Sequence, residues 1–128
     1  NIDQNQMISR CPYSMKMYKG VLKDYKLISA HHSRTWGGGV FSVKESPGSN
    51  VEGIIYEVTV EDMDSLDRYE GFPISYRRED VLIDIIDEDK KMECFIYISN
   101  SKEVVDISED YLYHCQEAAI KENIKINY

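Results

Sequence analysis

One carboxylate in the sequence lies at the predicted end of a helix. Glu70 immediately precedes Gly71 and closes a stretch whose composition favours a helix. The negative end of a helix dipole disfavours a charge there by roughly 0.3–1 kcal/mol. Asp64 and Asp67 lie within two turns, so we expect the pKa of Glu70 to be raised, as suits a group that carries protons. Position alone nevertheless favours an ordinary solvated acid, because Glu70 is one of 23 acidic residues.

Other residue types that could do chemistry lack the spacing it requires. His31 and His32 are adjacent, and side chains that are adjacent in an extended loop diverge, while His114 is distant in sequence. The glycines at 37–39 are not followed by the Lys-Ser/Thr pair of a phosphate-binding loop. No serine has the Gly-x-Ser-x-Gly context of a nucleophile elbow. We therefore expect neither a metal site nor a cofactor.

Cysteine usage and charge indicate the compartment and the class of partner. The three cysteines, Cys11, Cys94 and Cys115, form no C-x-x-C pair, and the last two are predicted to be small buried hydrophobic residues. This pattern predicts a reducing cytoplasm, and no signal peptide is recognisable. A net charge of −8 disfavours nucleic acid as a partner. No apolar run approaches the roughly 20 residues that a membrane span needs.

The elements that must position these side chains make a strand-dominated α+β domain. Its 128 residues suffice for one domain with a real core. Hydrophobic patterning and capping residues predict helices over 4–10, 61–70 and 109–122, extended segments over 17–30, 40–43, 51–59, 76–86 and 92–98, a loop over 31–39 and a turn over 46–50. Gly71 is expected to cap the second helix and Ser108 to begin the third. Leu112, Cys115 and Ala119 should form the buried stripe of the third helix.

An ordered set of short motifs links the sequence to a known family. The motifs are R-C-P-Y-S at 10–14, L-K-D-Y-K-L at 22–27, W-G-G-G at 36–39, S-P-G at 46–48, V-E-G-I-I-Y at 51–56, L-D-R-Y-E-G at 66–71, Y-I-S-N at 97–100 and E-A-A-I-K-E-N at 117–123. With this order the sequence resembles the γ-glutamylcyclotransferase family, which includes plant avirulence-induced proteins. The resemblance implies a single domain over 1–128, folded as a small mixed β-barrel with flanking short helices.

The resemblance also implies a reaction and a set of site residues. The family releases 5-oxoproline from a γ-glutamyl amine by attack of the substrate's own α-amine. Its catalytic glutamate in L-D-x-x-E-G falls on Glu70. A tyrosine of its terminal helix matches Tyr111, and other tyrosines around its pocket match Tyr76 and Tyr97. Its Y-G-S-N turn, which holds the glutamyl end of the substrate through backbone groups, would correspond to Asn1 and Ile2.

One departure leaves a second interpretation open. The Tyr, Gly and Ser of Y-G-S-N do not precede Asn1, and we expect that the N-terminal strand is missing from this sequence. With such an incomplete pocket, the same fold could be a binding module that holds a γ-glutamyl or amino-acid-like ligand without turnover. Either interpretation predicts a small-molecule partner, without nucleic acid or membrane.

Overall fold

The fold combines one antiparallel sheet with three short helices. A computed structural model describes residues 2–128, so the prediction for Asn1 lies outside the described residues. In chain order the elements are α1 (Gln4–Arg10), β1 (Met15–Ser33), β2 (Gly38–Glu57), α2 (Val60–Glu70), β3 (Tyr76–Ile85), β4 (Lys91–Ser99) and α3 (Glu109–Glu122). The strand order is β2-β1-β3-β4. The predicted α+β class, the three helices and the β3–β4 hairpin are confirmed.

Strands β1 and β2 form one long hairpin, and this corrects the prediction of a loop over 31–39. His31 pairs with Val40 and His32 with Gly39, so that only residues 34–37 form the connection between the strands. Polar side chains and consecutive glycines favoured a loop in the sequence. In the structure, pairing between the strands outweighs that local preference, because each residue added to the ladder satisfies its backbone hydrogen-bonding groups.

The predicted turn over 46–50 does not reverse the chain, and β2 is a single strand. These residues bulge out opposite Asp24, between the pairs Lys23–Asn50 and Tyr25–Glu45. Asp24 has a φ of 64°, and its Oδ1 accepts a hydrogen bond of 2.9 Å from the Gly48 N–H. The Ser-Pro-Gly-Ser residues therefore mark a bulge, where a residue without a ladder hydrogen bond is tolerated.

The sheet curls but is not closed into a barrel by a continuous backbone ladder. Strands β1 and β3 pair only at Gly20–Ile85 and Val21–Asp84. The outer strands β2 and β4 meet through a side chain, since the Ser99 N–H donates to Ser42 Oγ at 3.0 Å. The only parallel pairing within residues 2–128 is the isolated bridge between Gly39 and Ile107. The expected barrel is thus a curled sheet with helices at its margins.

Two apolar clusters hold the helices and strands together. Met7, Cys11 and Leu66 pack between α1 and α2, and Tyr97 of β4 packs against them. A second cluster of Leu22, Val81 and Ile83 lies on the sheet. The first cluster fixes α2 over β4, which determines where the C-terminal end of α2 can place its side chains.

Helix α3 contributes a buried stripe close to the predicted one. Cys115 and Ala119 are buried as expected, together with Ala118, while Leu112 is only partly buried. Cys94, also expected to be buried, is partly exposed. None of the helices within residues 2–128 is long and apolar enough to cross a membrane.

Candidate active site

Helix α2 ends abruptly at Glu70. Its first turn is closed by a capping box, in which Thr59 Oγ1 accepts from the Asp62 N–H at 3.1 Å. At the other end Gly71 adopts the left-handed conformation with φ 65°, and the Phe72 N–H donates to the Asp67 carbonyl at 2.9 Å. These bonds form a Schellman motif, which favours glycine at the left-handed position. Both ends of the helix are therefore defined, and Glu70 is its last residue.

The electrostatic surroundings of Glu70 differ from those expected from the sequence. Burial raises the pKa of Glu70, and the positive charge of Arg10 partly offsets that increase. The sequence predicts that the negative end of the helix dipole and repulsion by Asp64 and Asp67 cause the shift. Instead Asp64 is exposed on the outer side of α2, and Asp67 is bonded to another side chain. The proton affinity of Glu70 is therefore raised mainly by loss of water around its carboxylate.

Tyr76 and Tyr97 lie close enough to Glu70 to interact with its charge. Burial, followed by the charge of Glu70, raises the pKa of Tyr76 to about 12. Burial is also the main cause that raises the pKa of Tyr97, and the charge of Glu70 contributes there as well. The hairpin register places Tyr76 opposite Ser99 and Tyr97 opposite Arg78, so that both tyrosines are on the same face of the hairpin.

Tyr111 lies in the first turn of α3, next to the same group. Ser108 begins the helix, and its Oγ accepts from the Tyr111 N–H at 3.2 Å. The Tyr111 ring makes edge contacts with Trp36 and Phe41, each at a centroid distance of 5.5 Å. Burial is the main cause that raises the pKa of Tyr111, and Tyr76 is near enough to add to the increase. Electrostatic influence therefore links Glu70 with Tyr76 and Tyr97, and Tyr76 with Tyr111.

The carboxylate of Asp3 links the start of α1 to α3. Ile2 is partly buried and precedes Asp3, whose carboxylate caps α1 by accepting from the Asn5 N–H at 3.0 Å. The other oxygen of Asp3 lies 3.5 Å from His114 Nε2 of α3. A substrate contact of Ile2 and Asn1 stays a prediction. Within residues 2–128, no three His, Cys, Asp or Glu side chains are grouped so that they could hold a metal.

The side chains that contact Tyr97 and Asp67 were missed in the sequence analysis. Tyr97 Oη donates to Asp67 Oδ1 at 2.5 Å, and Arg78 Nε lies 3.6 Å from the same oxygen. The Arg78 guanidinium carbon lies 4.3 Å above the centre of the Phe72 ring. One signal was available, because Asp67 and Glu70 are three residues apart on a predicted helix and therefore face the same side. The sequence did not indicate which strand packs against that side of α2.

Comparison with known proteins identifies the family. The profile of the family described as Gamma-glutamyl cyclotransferase, AIG2-like matches residues 2–117. The chain therefore belongs to this family. It is 29% identical over 97 residues to human Gamma-glutamylcyclotransferase and 32% identical over 95 residues to the Bos taurus protein of the same name, in each case over 70% of the chain and 50% of the relative. The chain thus spans about half the length of the curated relatives it matches.

The fold is that of solved structures in the same group. A structure described as Gamma-glutamyl cyclotransferase superposes with a TM-score of 0.87 at 22% identity, covering 99% of this chain and 84% of that one. This similarity extends over α1, the whole sheet and α3. The architecture that positions Glu70 is therefore a known one.

Removing the hydroxyl of Tyr111 tests its predicted contact with substrate. We expect Tyr111→Phe to raise KM roughly two- to tenfold, the equivalent of one neutral hydrogen bond. The melting temperature should change little, because the ring keeps its contacts with Trp36 and Phe41. Steady-state kinetics and thermal unfolding measure the two effects. Cys115 and the Phe41 backbone are also near the hydroxyl. A lower melting temperature with unchanged KM would therefore assign the hydroxyl to the core.

Proposed function

We propose that this protein is a γ-glutamyl cyclotransferase, which releases 5-oxoproline and a free amine or amino acid from a γ-glutamyl amine. The observation that carries the proposal is the placement of Glu70. Its carboxylate, in the family's L-D-x-x-E-G motif, ends α2 in a water-poor position beside Tyr76 and Tyr97. Family membership and the names of the curated relatives support the same reaction.

The reaction needs little covalent chemistry from the protein, because nucleophile and electrophile belong to one substrate. The α-amine attacks the γ-carbonyl carbon and closes a five-membered ring, after which the bond from that carbon to the leaving nitrogen breaks. Holding such groups in a reactive geometry can contribute roughly 7–11 kcal/mol to lowering a barrier. Neither a protein nucleophile nor a metal is required for these two bond changes.

Glu70 is the proposed proton carrier. The α-ammonium group must lose a proton before it can attack, and its pKa is about 8 by analogy with chain termini. Burial raises the pKa of Glu70 and so narrows the difference in pKa between Glu70 and the α-ammonium group. Glu70 takes this proton and delivers it to the leaving nitrogen as the bond to the γ-carbon breaks. The ring nitrogen must then lose a second proton, which Glu70 passes to the released amine; the amine leaves as an ammonium ion, and Glu70 ends each cycle ionised. The backbone N–H groups of Asn1 and Ile2 are the proposed contacts of the glutamyl end of the substrate.

The tyrosines provide neutral hydrogen-bonding groups around this step. Burial raises the pKa of Tyr76 to about 12 and also raises the pKa of Tyr97 and Tyr111. All three therefore keep their protons at neutral pH. Proton transfer within this group consequently falls to Glu70, while the hydroxyl groups bind and orient.

Formation of 5-oxoproline is the direct test. We expect the purified protein to release 5-oxoproline from at least one member of a panel of γ-glutamyl-L-amino acids and γ-glutamyl amines. The rate should be the same with and without a chelator, because the proposed steps use no metal. Chromatography of the products gives the rate, and Glu70→Gln provides the blank. Calorimetric binding of a panel compound without any 5-oxoproline would instead identify the binding module.

The cysteines support a cytoplasmic location for this activity. Cys11 and Cys115 are buried, Cys94 is partly exposed, and all three carry free thiols. Burial raises the pKa of each thiol, which keeps it in the unreactive protonated form. Unpaired cysteines are typical of proteins in reducing compartments.

A further inference from the structure

A short hydrogen bond joins α2, the helix that ends at Glu70, to strand β4. Asp67 Oδ1 of α2 lies 2.5 Å from Tyr97 Oη of β4. An ionised carboxylate can only accept a hydrogen bond, so the proton in this bond belongs to the tyrosine. Burial and this same bond raise the pKa of Tyr97, which keeps that proton on its oxygen. The single donor of the Tyr97 hydroxyl is therefore directed at Asp67.

Arg78 and Phe72 hold Asp67 in this role. Arg78 lies directly opposite Tyr97 in the β3–β4 ladder, on the same face. Its Nε lies 3.6 Å from Asp67 Oδ1, and its guanidinium stacks over Phe72, the second residue after α2. The positive charge attracts the Asp67 carboxylate, and the stacking limits the positions that Arg78 can take. Asp67 is thus held as an acceptor that points at Tyr97.

This arrangement determines whether the Tyr97 hydroxyl donates or accepts a hydrogen bond with a ligand. Glu70 is three residues from Asp67 on the same side of α2, and its charge acts on Tyr97. With its proton committed to Asp67, Tyr97 cannot donate to Glu70 or to a substrate carbonyl. Its oxygen retains lone pairs and can only accept. Two acceptors, the Glu70 carboxylate and the Tyr97 oxygen within reach of its charge, suit a ligand group that carries several N–H donors.

We propose that Asp67 is a positioning residue that makes the Tyr97 oxygen a hydrogen-bond acceptor beside Glu70, and that this oxygen binds the α-ammonium group of the substrate. The inference rests on the proposed function and adds a specificity determinant to it. The ammonium group then donates one N–H to Tyr97 and presents another to Glu70, which removes that proton. A ligand without the α-amine loses both contacts.

The test compares two ligands that differ only in this amine. γ-Glutamyl-L-alanine serves as the test substrate, and glutaryl-L-alanine, which lacks the α-amine and cannot cyclise, is expected to compete with it. For Tyr97→Phe we expect KM for the substrate to rise about tenfold or more, as for a hydrogen bond to a charged group. The inhibition constant of glutaryl-L-alanine should stay within about twofold, since neutral contacts elsewhere are kept. Equal weakening of both ligands would overturn the assignment of Tyr97 as the ammonium acceptor.

A double-mutant cycle tests the part assigned to Asp67. Asp67→Ala removes the acceptor of the Tyr97 proton and alone should reproduce the selective loss. It should add little in the Tyr97→Phe background, because Asp67 acts through Tyr97. Asp67→Glu keeps a carboxylate and should retain more of the selectivity than Asp67→Ala. Additive effects of the two substitutions would contradict the positioning role. The Tyr97→Phe comparison still decides the acceptor if an Asp67 variant does not fold.

Asp64→Asn is the matched control for charge. It removes the same charge from an exposed position on the same helix and should leave both constants unchanged. If it reproduced the Asp67→Ala pattern, the net charge of α2 would be the cause and the positioning role would be wrong. If the wild-type protein formed no 5-oxoproline from any γ-glutamyl compound, the proposed function would fail and this inference with it. Normal turnover with unchanged ligand selectivity would overturn this inference alone.

Discussion

Glu70→Gln lowers kcat by about 10²–10⁴, the range expected when a general acid–base group is removed. Glutamine keeps the size of the side chain and its place at the end of α2, but it cannot take the proton of the α-ammonium group. Substrate binding relies mainly on other groups, so KM should change much less than kcat. Steady-state rates of 5-oxoproline release, with melting curves for each protein, separate loss of catalysis from loss of structure.

The control for this prediction must be chosen from the structure. Asp64→Asn removes a charge from the exposed side of α2 and should leave kcat unchanged. Asp67→Asn, which looks equivalent in the sequence, is unsuitable because Asp67 accepts the hydrogen bond from Tyr97. If Glu70→Gln kept more than about a tenth of the wild-type kcat, well short of the expected loss, Glu70 would not be the proton carrier.

The same substitution has an effect on stability whose sign depends on pH. The folded-state pKa of Glu70 is raised above its usual value of 4.5, so the folded protein binds this proton more tightly than the unfolded chain. Protonation of Glu70 therefore stabilises the folded protein. This contribution is fully present below pH 4.5 and is lost as pH rises through the folded-state pKa. Glutamine is neutral throughout. We expect Glu70→Gln to melt above the wild type at neutral pH, with a difference that shrinks on acidification.

Gly39→Ala should have the largest effect on stability. A Cβ at this position would overlap Ser29 Oγ and lie 2.8 Å from the Asp106 carbonyl oxygen, which belongs to the backbone and cannot turn away. Overpacking of this kind costs about 1–3 kcal/mol. Gly39 also exchanges hydrogen bonds with the segment before α3, donating to Asp106 at 2.8 Å and accepting from Ser108 at 2.9 Å. Chemical denaturation measures the loss in the free energy of unfolding.

Gly53→Ala is the matched control on the same strand. A Cβ added to Gly53 would meet no atom within 4 Å, and its backbone does not need glycine. This substitution should be neutral or stabilise by about 0.4–1 kcal/mol, because alanine restricts the unfolded chain. Similar losses for both variants would show that alanine is simply unfavourable in β2, and the close approach at Gly39 would not be the cause.

The elements that follow from local rules were predictable from the sequence. Gly71 has the left-handed conformation that ends α2, and Ser108 begins α3 as its cap. The β3–β4 hairpin has the expected alternation, with Val81, Ile83 and Ile85 buried on one face. Capping bonds and alternating burial depend on residues a few positions apart, so their signal is present in a short stretch of sequence.

The elements that depend on distant partners were not predictable in this way. The residues at 31–39 have loop-like composition, yet most of them lie in the β1–β2 ladder because Val40 and Gly39 pair with His31 and His32. The turn signal at 46–50 became a bulge because Asp24, more than twenty residues earlier, accepts a hydrogen bond there. In both cases hydrogen bonds supplied by another strand outweigh local preference.

The candidate site also combines features that the sequence predicts with features that depend on distant partners. The sequence alone determined that an acid ends a helix at Glu70, and the resemblance to the family connected that acid with Tyr76, Tyr97 and Tyr111. Only the tertiary structure decided why the pKa of Glu70 is raised, because burial depends on the packing of α2 against the sheet. It also decided that Asp67 binds Tyr97, thirty residues away, instead of repelling Glu70. Charge along a helix can be read from spacing, whereas loss of water and hydrogen-bond partners require the folded chain.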